Sequence, residues 1–204
     1  VSDRYDNAVD MLLGKNIRRN ILERLGDEDG LGKLLELGCG TGYFTPTLAN
    51  KSEMVIATDI SEEMLEIAWE RVKENGKVQF QVMDCLNCKF DKGTFDTVFM
   101  GLVLLFVEEP EKALKEILRI LKPGGLLIMA DPDISQLSNE GREKFVSRAL
   151  KNFHKMPPVN RMFNQKELTE ILDKVGFNVV TKEIILDASD KNSASANYIK
   201  AKSK

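Results

Sequence analysis

Leu34-Leu35-Glu36-Leu37-Gly38-Cys39-Gly40-Thr41-Gly42 sets a short apolar run against three glycines at alternate positions. The run, from Lys33 to Leu37, reads as a buried strand, and a helix is expected from about Phe44 to Asn50, so the glycines fall in a strand-to-helix turn. Side chains there would block a ligand. Glycine lets the backbone come close, and the N–H groups that open the following helix can face an electronegative part of the ligand. The dinucleotide fingerprint asks for G-x-G-x-x-G. Counted from Gly38 the sixth place is Tyr43, and counted from Gly40 it is Thr45, so an NAD(P)-dependent oxidoreductase fails at its third glycine.

On either side of this loop, short β-branched runs alternate with helical patterns, the signature of a parallel sheet with helices on both faces. Before it, Ile17, Ile21, Leu22 and Leu25 share one face of a helix, with Gly26 expected to take the left-handed stop. After it come strands over Met54–Asp59, Val78–Met83, Phe95–Met100 and Leu126–Ala130. The third of these strands, counting from Lys33, alternates Val78, Phe80 and Val82 with glutamines and reads as an edge. Ser61 is placed to cap a helix that carries Glu62 and Glu63 in its first turn. Pro110 opens a helix with Leu114, Ile117, Leu118 and Leu121 on its buried side, ended by Pro123-Gly124-Gly125. The alternation breaks over Asp131–Arg161, which carries its own amphipathic helix through Phe145, Ala149, Leu150 and Phe153. Asn164 and Glu167 are then spaced as a capping box, Gly176 stops that helix, and strands over Phe177–Leu186 and Tyr198–Ala201 close the chain.

At 204 residues, one domain over 1–204 is expected, with 1–30 as an N-terminal helical cap and 131–161 as an insertion. Hydrophobic residues make up 43% and charged ones 30%, a globular balance. The net charge of −3 comes from acids and bases mixed along the chain and gives no cationic field for nucleic acid. The longest apolar run, Val98–Val107, is about half of what a helix needs to cross a bilayer, so no membrane span is expected. Three cysteines point to a reducing compartment, with the cytoplasm as the expected location. The chain begins at Val1 rather than Met, so a missing leader carries little weight.

The acidic residue followed by G-x-G-x-G resembles the motif of class I S-adenosylmethionine-dependent methyltransferases, and the likeness continues past the loop. Asp59 closes the second strand, Asp84 follows the third, Phe95-Asp96 opens the fourth, and Leu118-Arg119-Ile120-Leu121-Lys122-Pro123-Gly124-Gly125 precedes the fifth. The segment from Phe163-Asn164 to Gly176-Phe177 is similar to the small-molecule branch that includes the quinone-biosynthesis C-methyltransferases. The resemblance implies an α/β Rossmann-like fold with seven strands in order 3-2-1-4-5-7-6, the last antiparallel. It also implies S-adenosyl-L-methionine as cofactor and a small-molecule methyl acceptor. Met100-Gly101-Leu102 stands where amino-methylating enzymes of nucleic acids and proteins often carry Asn-Pro-Pro-Tyr, which further lowers a nucleic-acid partner.

Carried over residue by residue, the resemblance assigns Glu36 to the methionine end of the cofactor, where its alternative role is bracing the loop. Gly38, Cys39, Gly40, Gly42 and Gly101 form the backbone around the cofactor. Asp59 accepts from both ribose hydroxyls, a bidentate task that suits an ionised carboxylate. Its alternative is a helix cap, a place Ser61 already fills. Ile60 and Met64 flank the adenine, with ordinary helix packing as the alternative for Met64. Asp84 and the N–H of Cys85 meet the adenine edge, with a plain turn as the alternative. Cys85-Leu86-Asn87-Cys88 is a C-x-x-C pair, but only Cys39 and His154 remain as further zinc ligands, so no metal is expected. Candidate bases are His154, the only histidine, whose alternative is capping a helix C-terminus; Asp131, with Asp133, just after the fifth strand; and Tyr5, whose Tyr5-Asp6 pair resembles the family's N-terminal cofactor-contacting segment. The opening segment Asp3–Leu13 and the insertion Asp131–Arg161 are expected to form a lid. Since every role assigned with a motif concerns the cofactor, a catalytically silent cofactor-binding subunit is the alternative to an enzyme.

Overall fold

A computed structural model describes residues 2–152, 159–190 and 193–204. Seven strands, β1 (Lys33–Leu37), β2 (Met54–Asp59), β3 (Val78–Val82), β4 (Phe95–Gly101), β5 (Leu121–Asp133), β6 (Phe177–Ile185) and β7 (Ser195–Ser203), form one sheet in the order β3-β2-β1-β4-β5-β7-β6. The first five pair in parallel, and β7 runs antiparallel to both β5 and β6. This is the expected order, with β3 at an edge.

Side chains alternate across a strand, so each strand divides its residues between two cores. Leu34 of β1, Phe99 of β4 and Ile128 of β5 pack on one face, under α2 (Ile17–Gly26), α3 (Thr45–Lys51) and α4 (Glu62–Val72). Leu35 and Leu37, Val98 and Met100, and Leu127 and Met129 point to the other face, under α5 (Pro110–Ile120) and α7 (Gln165–Val175). Leu114 and Ile117 of α5 and Leu168 and Leu172 of α7 are fully buried there, each contributing about 1.5–3 kcal/mol of burial. The N-terminal helix α1 (Ser2–Leu13) and the insertion helix α6 (Asn139–Asn152) pack on each other. Val9, Leu13, Leu137 and Phe145 extend the first core between them.

Caps behave as local chemistry requires. Ser61 Oγ accepts from Met64 N–H, Asn164 and Glu167 form the reciprocal capping box, and Gly176 ends α7 at φ +116°. Several boundaries differ from expectation. Gly26 is the last residue of α2 and takes no left-handed turn, because the chain stays right-handed at Asp27, whose N–H donates to the Arg24 carbonyl while Glu28 N–H donates to that of Leu25. α3 starts one residue late, at Thr45, and β3 stops at Val82. α5 ends at Ile120, which takes the buried place expected of Leu118; Leu118 is half-buried, and Leu121 already belongs to β5. β5 is extended in both directions by its partners: Leu121 pairs with Phe95, and Asp131 to Asp133 pair with β7, so the insertion begins after Asp133. β7 likewise outruns its expected span, from Ser195 to Ser203.

Candidate active site

Because β3, β2, β1, β4 and β5 are parallel neighbours, their carboxyl ends lie along one edge of the sheet. That edge carries Asp84 after β3, Asp59 at the end of β2, the glycine loop after β1, Gly101 at the end of β4 and Asp131 in β5. Ligands in such sheets bind where strand order reverses, here between β1 and β4.

All three loop glycines are left-handed, Gly38 at φ +67°, Gly40 at +54° and Gly42 at +74°, which other residues adopt only at a cost. They differ in what surrounds them. A Cβ at Gly38 would collide with Val103, and one at Gly42 would press on Ala68, whereas at Gly40 nothing lies within 4 Å. The loop is therefore closed on its protein side and open at Gly40. Asp59 sets its position: Oδ2 accepts from Gly40 N–H at 2.9 Å and Oδ1 from Ser61 N–H at 3.0 Å. Each carboxylate oxygen keeps a further lone pair, so the bidentate ribose role stays open to a residue that also braces the loop.

Glu36 shares the parity of Leu34 and so points toward α3, where Thr45 Oγ1 donates to its Oε2 at 2.7 Å. Its other oxygen, Oε1, is buried with no partner among the described residues. Burial pushes this carboxyl up to about 8, against the Thr45 hydrogen bond and with help from the Asp59 charge. A buried acceptor left unpaired beside an open backbone cradle fits a ligand that brings a donor or a cation. Asp84 is exposed and folds its own turn through Leu86 N–H at 2.8 Å, and Cys85 is half-buried beside it. Ile60 is 71% exposed at the same strand end, an apolar surface for a flat ring, and Met64 is half-buried.

Tyr5 is half-buried, and burial followed by the Asp59 carboxylate pushes its phenol up, so α1 brings it close to Asp59. The next residue, Asp6, joins three elements that sequence reasoning did not connect. It accepts from Thr41 Oγ1 of the glycine loop at 2.8 Å, from Arg18 at 2.9 Å and from Arg71 of α4 at 2.6 Å. Burial alone would raise its pKa, but these bonds hold the carboxyl below its usual range. Arg18 is only 3% exposed, bonds Asp10 as well, and stacks over the Tyr43 ring at 3.9 Å. Leu102, right after β4, is the one non-glycine residue with positive φ among those described, at +62°, a strain of about 1–3 kcal/mol of the kind that gathers at functional sites. Nothing in its sequence announces it; Thr45, also missed, carries a signal that could have found it, a hydroxyl at the start of the helix after the loop.

Asp131 is 2% exposed and turned toward the 3-10 turn Leu104–Phe106, not toward the glycine loop. His154, with Phe153 and Met156, lies outside the described residues. The three cysteines are free, and burial pushes the Cys85 and Cys88 thiols up to about 11 and 12. Among the described residues no group of three His, Cys, Asp or Glu is arranged to hold a metal, and no helix is long and apolar enough to cross a membrane.

A family profile described as a methyltransferase domain matches residues 35–129, from β1 through β5. A demethylmenaquinone methyltransferase of Staphylococcus epidermidis is 30% identical over 187 residues, covering 90% of this chain and 76% of that protein. One of Lactococcus lactis is 40% identical over 136 residues, covering 63% of this chain and 54% of that protein. The chain spans about half the length of several curated relatives it matches. Among solved structures, phosphoethanolamine N-methyltransferase 2 of Haemonchus contortus, in complex with S-adenosyl-L-methionine, shares the fold. Its TM-score is 0.71 at 20% identity, covering 92% of this chain and 52% of that one. Sequence likeness over 90% of the chain at 30% identity, on the fold and around the glycine loop such enzymes use, makes this chain a member of the class I S-adenosylmethionine-dependent methyltransferases.

Proposed function

We propose that the protein transfers the methyl group of S-adenosylmethionine to a small aromatic acceptor of the quinol kind. The observation that carries the cofactor half of this reading is the unpaired, buried Glu36 Oε1 beside the open backbone at Gly40. The acceptor half rests on the likeness to demethylmenaquinone methyltransferases and on the apolar Leu102 and Val103 that follow β4.

In this reading Glu36 faces the methionine end, and the N–H groups of Gly38, Cys39, Gly40 and Gly42 line the cofactor with Gly101. Asp59 takes the ribose hydroxyls, Ile60 and Met64 flank the adenine, and Asp84 and the Cys85 N–H read its edge. The cofactor supplies an already activated methyl on a sulfonium. The chain contributes alignment of the acceptor in line with that methyl and exclusion of water. A quinol-type acceptor loses a hydroxyl proton as its ring attacks, which calls for a base; Tyr5 and His154 are the candidates. The lid is formed by α1 and α6, which already pack on each other through Val9, Leu13 and Phe145. Three free thiols, two of them buried, fit a reducing cytoplasm.

The test is transfer of isotopic label from S-adenosylmethionine to a short-chain demethylated naphthoquinol, with calorimetry of S-adenosylhomocysteine alongside. Labelled product is expected. Tight binding without transfer to any small aromatic acceptor would leave a silent cofactor-binding subunit, and no binding would remove the reading altogether. His154→Gln, if His154 is the base, keeps cofactor affinity and lowers turnover by about two to four powers of ten. Amide exchange should slow in both α1 and α6 when cofactor and acceptor bind; if both stay as open as in the free protein, they are no lid.

A further inference from the structure

We propose that Asp131 is a neutral positioning residue whose protonated carboxyl bridges Leu104 N–H and Asn197 Oδ1, and so holds the turn that backs the glycine loop. It is then not a base for the reaction, an inference that rests on the methyltransferase reading for its functional consequence but not for its geometry.

Among the described residues, two buried acceptors are without partners on the face of the sheet under α5 and α7. Asp131 is 2% exposed and its Oδ1 accepts from Leu104 N–H at 3.1 Å, while Oδ2 has no partner. Asn197 is fully buried; its Nδ2 donates to the Phe163 carbonyl at 2.9 Å, while Oδ1 has no partner. The two residues are register partners in the antiparallel β5–β7 pair. Directly opposed side chains in such a pair share one face with Cβ atoms about 4.5–5.5 Å apart, within reach of a carboxyl and an amide.

Asn197 Nδ2 gives one of its two N–H groups to Phe163, and the atom of the amide left without a partner among the described residues is Oδ1, so what Asn197 lacks is a donor. An ionised Asp131 would set two acceptors against each other in a dry site, which leaves both unsatisfied. One proton on Oδ2 satisfies both, donating to Asn197 Oδ1 while Oδ1 of Asp131 keeps Leu104. The surroundings favour the neutral form. Burial pushes Asp131 up to about 7, opposed only by the N–H groups of Leu104, Leu105 and Val103. Asp133, on the same face of β5, accepts from Ser135 N–H, and Arg161, from the segment over the turn, is engaged by Glu167 at 2.8 Å. Gln165 Nε2, also buried and without a partner among the described residues, is a neutral donor at the start of α7.

The functional consequence follows the contacts outward. Asp131 fixes Leu104, the 3-10 turn carries Val103 before it, and Val103 is the side chain that closes the space behind Gly38. Asn160 and Arg161 N–H groups bond the Leu105 carbonyl and lock the same turn from the other side. Releasing Asp131 therefore frees the support of the cofactor loop.

Infrared difference spectra of the full chain against Asp131→Asn test the protonation directly. A protonated-carboxyl band at neutral pH, distinct from that of Glu36, lost in Asp131→Asn and shifted in Asn197→Ala, is expected; a parent-minus-Asp131→Asn difference spectrum without such a band overturns the proposal. Asp131→Asn can accept from Leu104 and donate to Asn197, so its S-adenosylhomocysteine affinity and its turnover should stay within about threefold of the parent. Asp131→Ala makes neither bond and should lose about tenfold in affinity, and Asn197→Ala gives the same readout should Asp131→Ala not fold. Turnover lower by about two or more powers of ten in Asp131→Asn, with affinity intact, identifies Asp131 as a base and sinks the positioning role. Failure of the parent to bind S-adenosylhomocysteine refutes the cofactor reading and leaves the band as a separate result.

Discussion

Cofactor binding should release a proton from Glu36, and Glu36→Gln should abolish that release. Its carboxyl stands at about 8 in the free protein because it is buried, with only the Thr45 hydroxyl on one oxygen. At pH 7 the neutral form then outnumbers the carboxylate by about ten to one. A cofactor that sets a cation against Oε1 selects the carboxylate. The apparent affinity should therefore rise by nearly a power of ten per pH unit from 6 toward 8, a cost of about 1.4 kcal/mol at pH 7 relative to the plateau. Calorimetry of S-adenosylhomocysteine in buffers of different ionisation enthalpy reads this as about 0.9 proton released at pH 7. Glu36→Gln fills the same space and still accepts from Thr45, so it should release no proton and show a flat profile. Buffer-independent heat and a flat pH 6 to 8 profile in the parent would refute the placement of Glu36 against a cation. The same group sets a stability gradient. Its folded pKa lies above the unfolded value, so its contribution is most favourable below about 4.5 and is lost as pH rises toward 8. Bound cofactor should flatten that decline.

Asp59→Ala should cost about 1.5–3 kcal/mol of cofactor affinity, roughly ten- to a hundredfold by calorimetry, and because Asp59 also holds Gly40 and Ser61 it should lower the melting temperature. Unchanged affinity in the folded variant would falsify the ribose assignment. Gly38→Ala meets both a left-handed backbone and Val103, so urea unfolding should show a loss of about 2–4 kcal/mol; a loss below about 1 kcal/mol would mean that the loop relaxes freely. Asp187 ties the α1–α2 turn to the β6–β7 loop by accepting from Asn16 and Ser189. Against the opposing effect of burial, these bonds hold it down to about 2. Since its folded pKa is lowered, its contribution is present above about pH 4 and is lost as pH falls toward 2. Asp187→Ala should therefore destabilise by about 2 kcal/mol at pH 7 and by much less near pH 2.

Local chemistry was enough for most of the fold. Lys33–Leu37 and Met54–Asp59 announce buried strands by composition, Ser61 and the Asn164/Glu167 pair mark helix starts by their own hydrogen-bonding reach, and Gly176 marks a stop by its freedom at positive φ. The glycine loop and Asp59 were legible because ligand approach leaves a pattern within a few residues. What could not be read depends on partners distant in the chain. Asp131–Asp133 continue as strand only because β7, more than sixty residues later, pairs with them. Asp6 becomes the junction of α1, the glycine loop and α4 only when folding brings Arg18, Thr41 and Arg71 to it. The oxygens of Glu36, Asp131 and Asn197 that lack a partner among the described residues have no signature in sequence at all, since burial and pairing are properties of the surroundings that packing creates. Residue types and their spacing thus determined the strands, the caps and the cofactor loop, whereas tertiary packing alone decided which carboxyl groups are buried and how they are paired, and which elements support the loop.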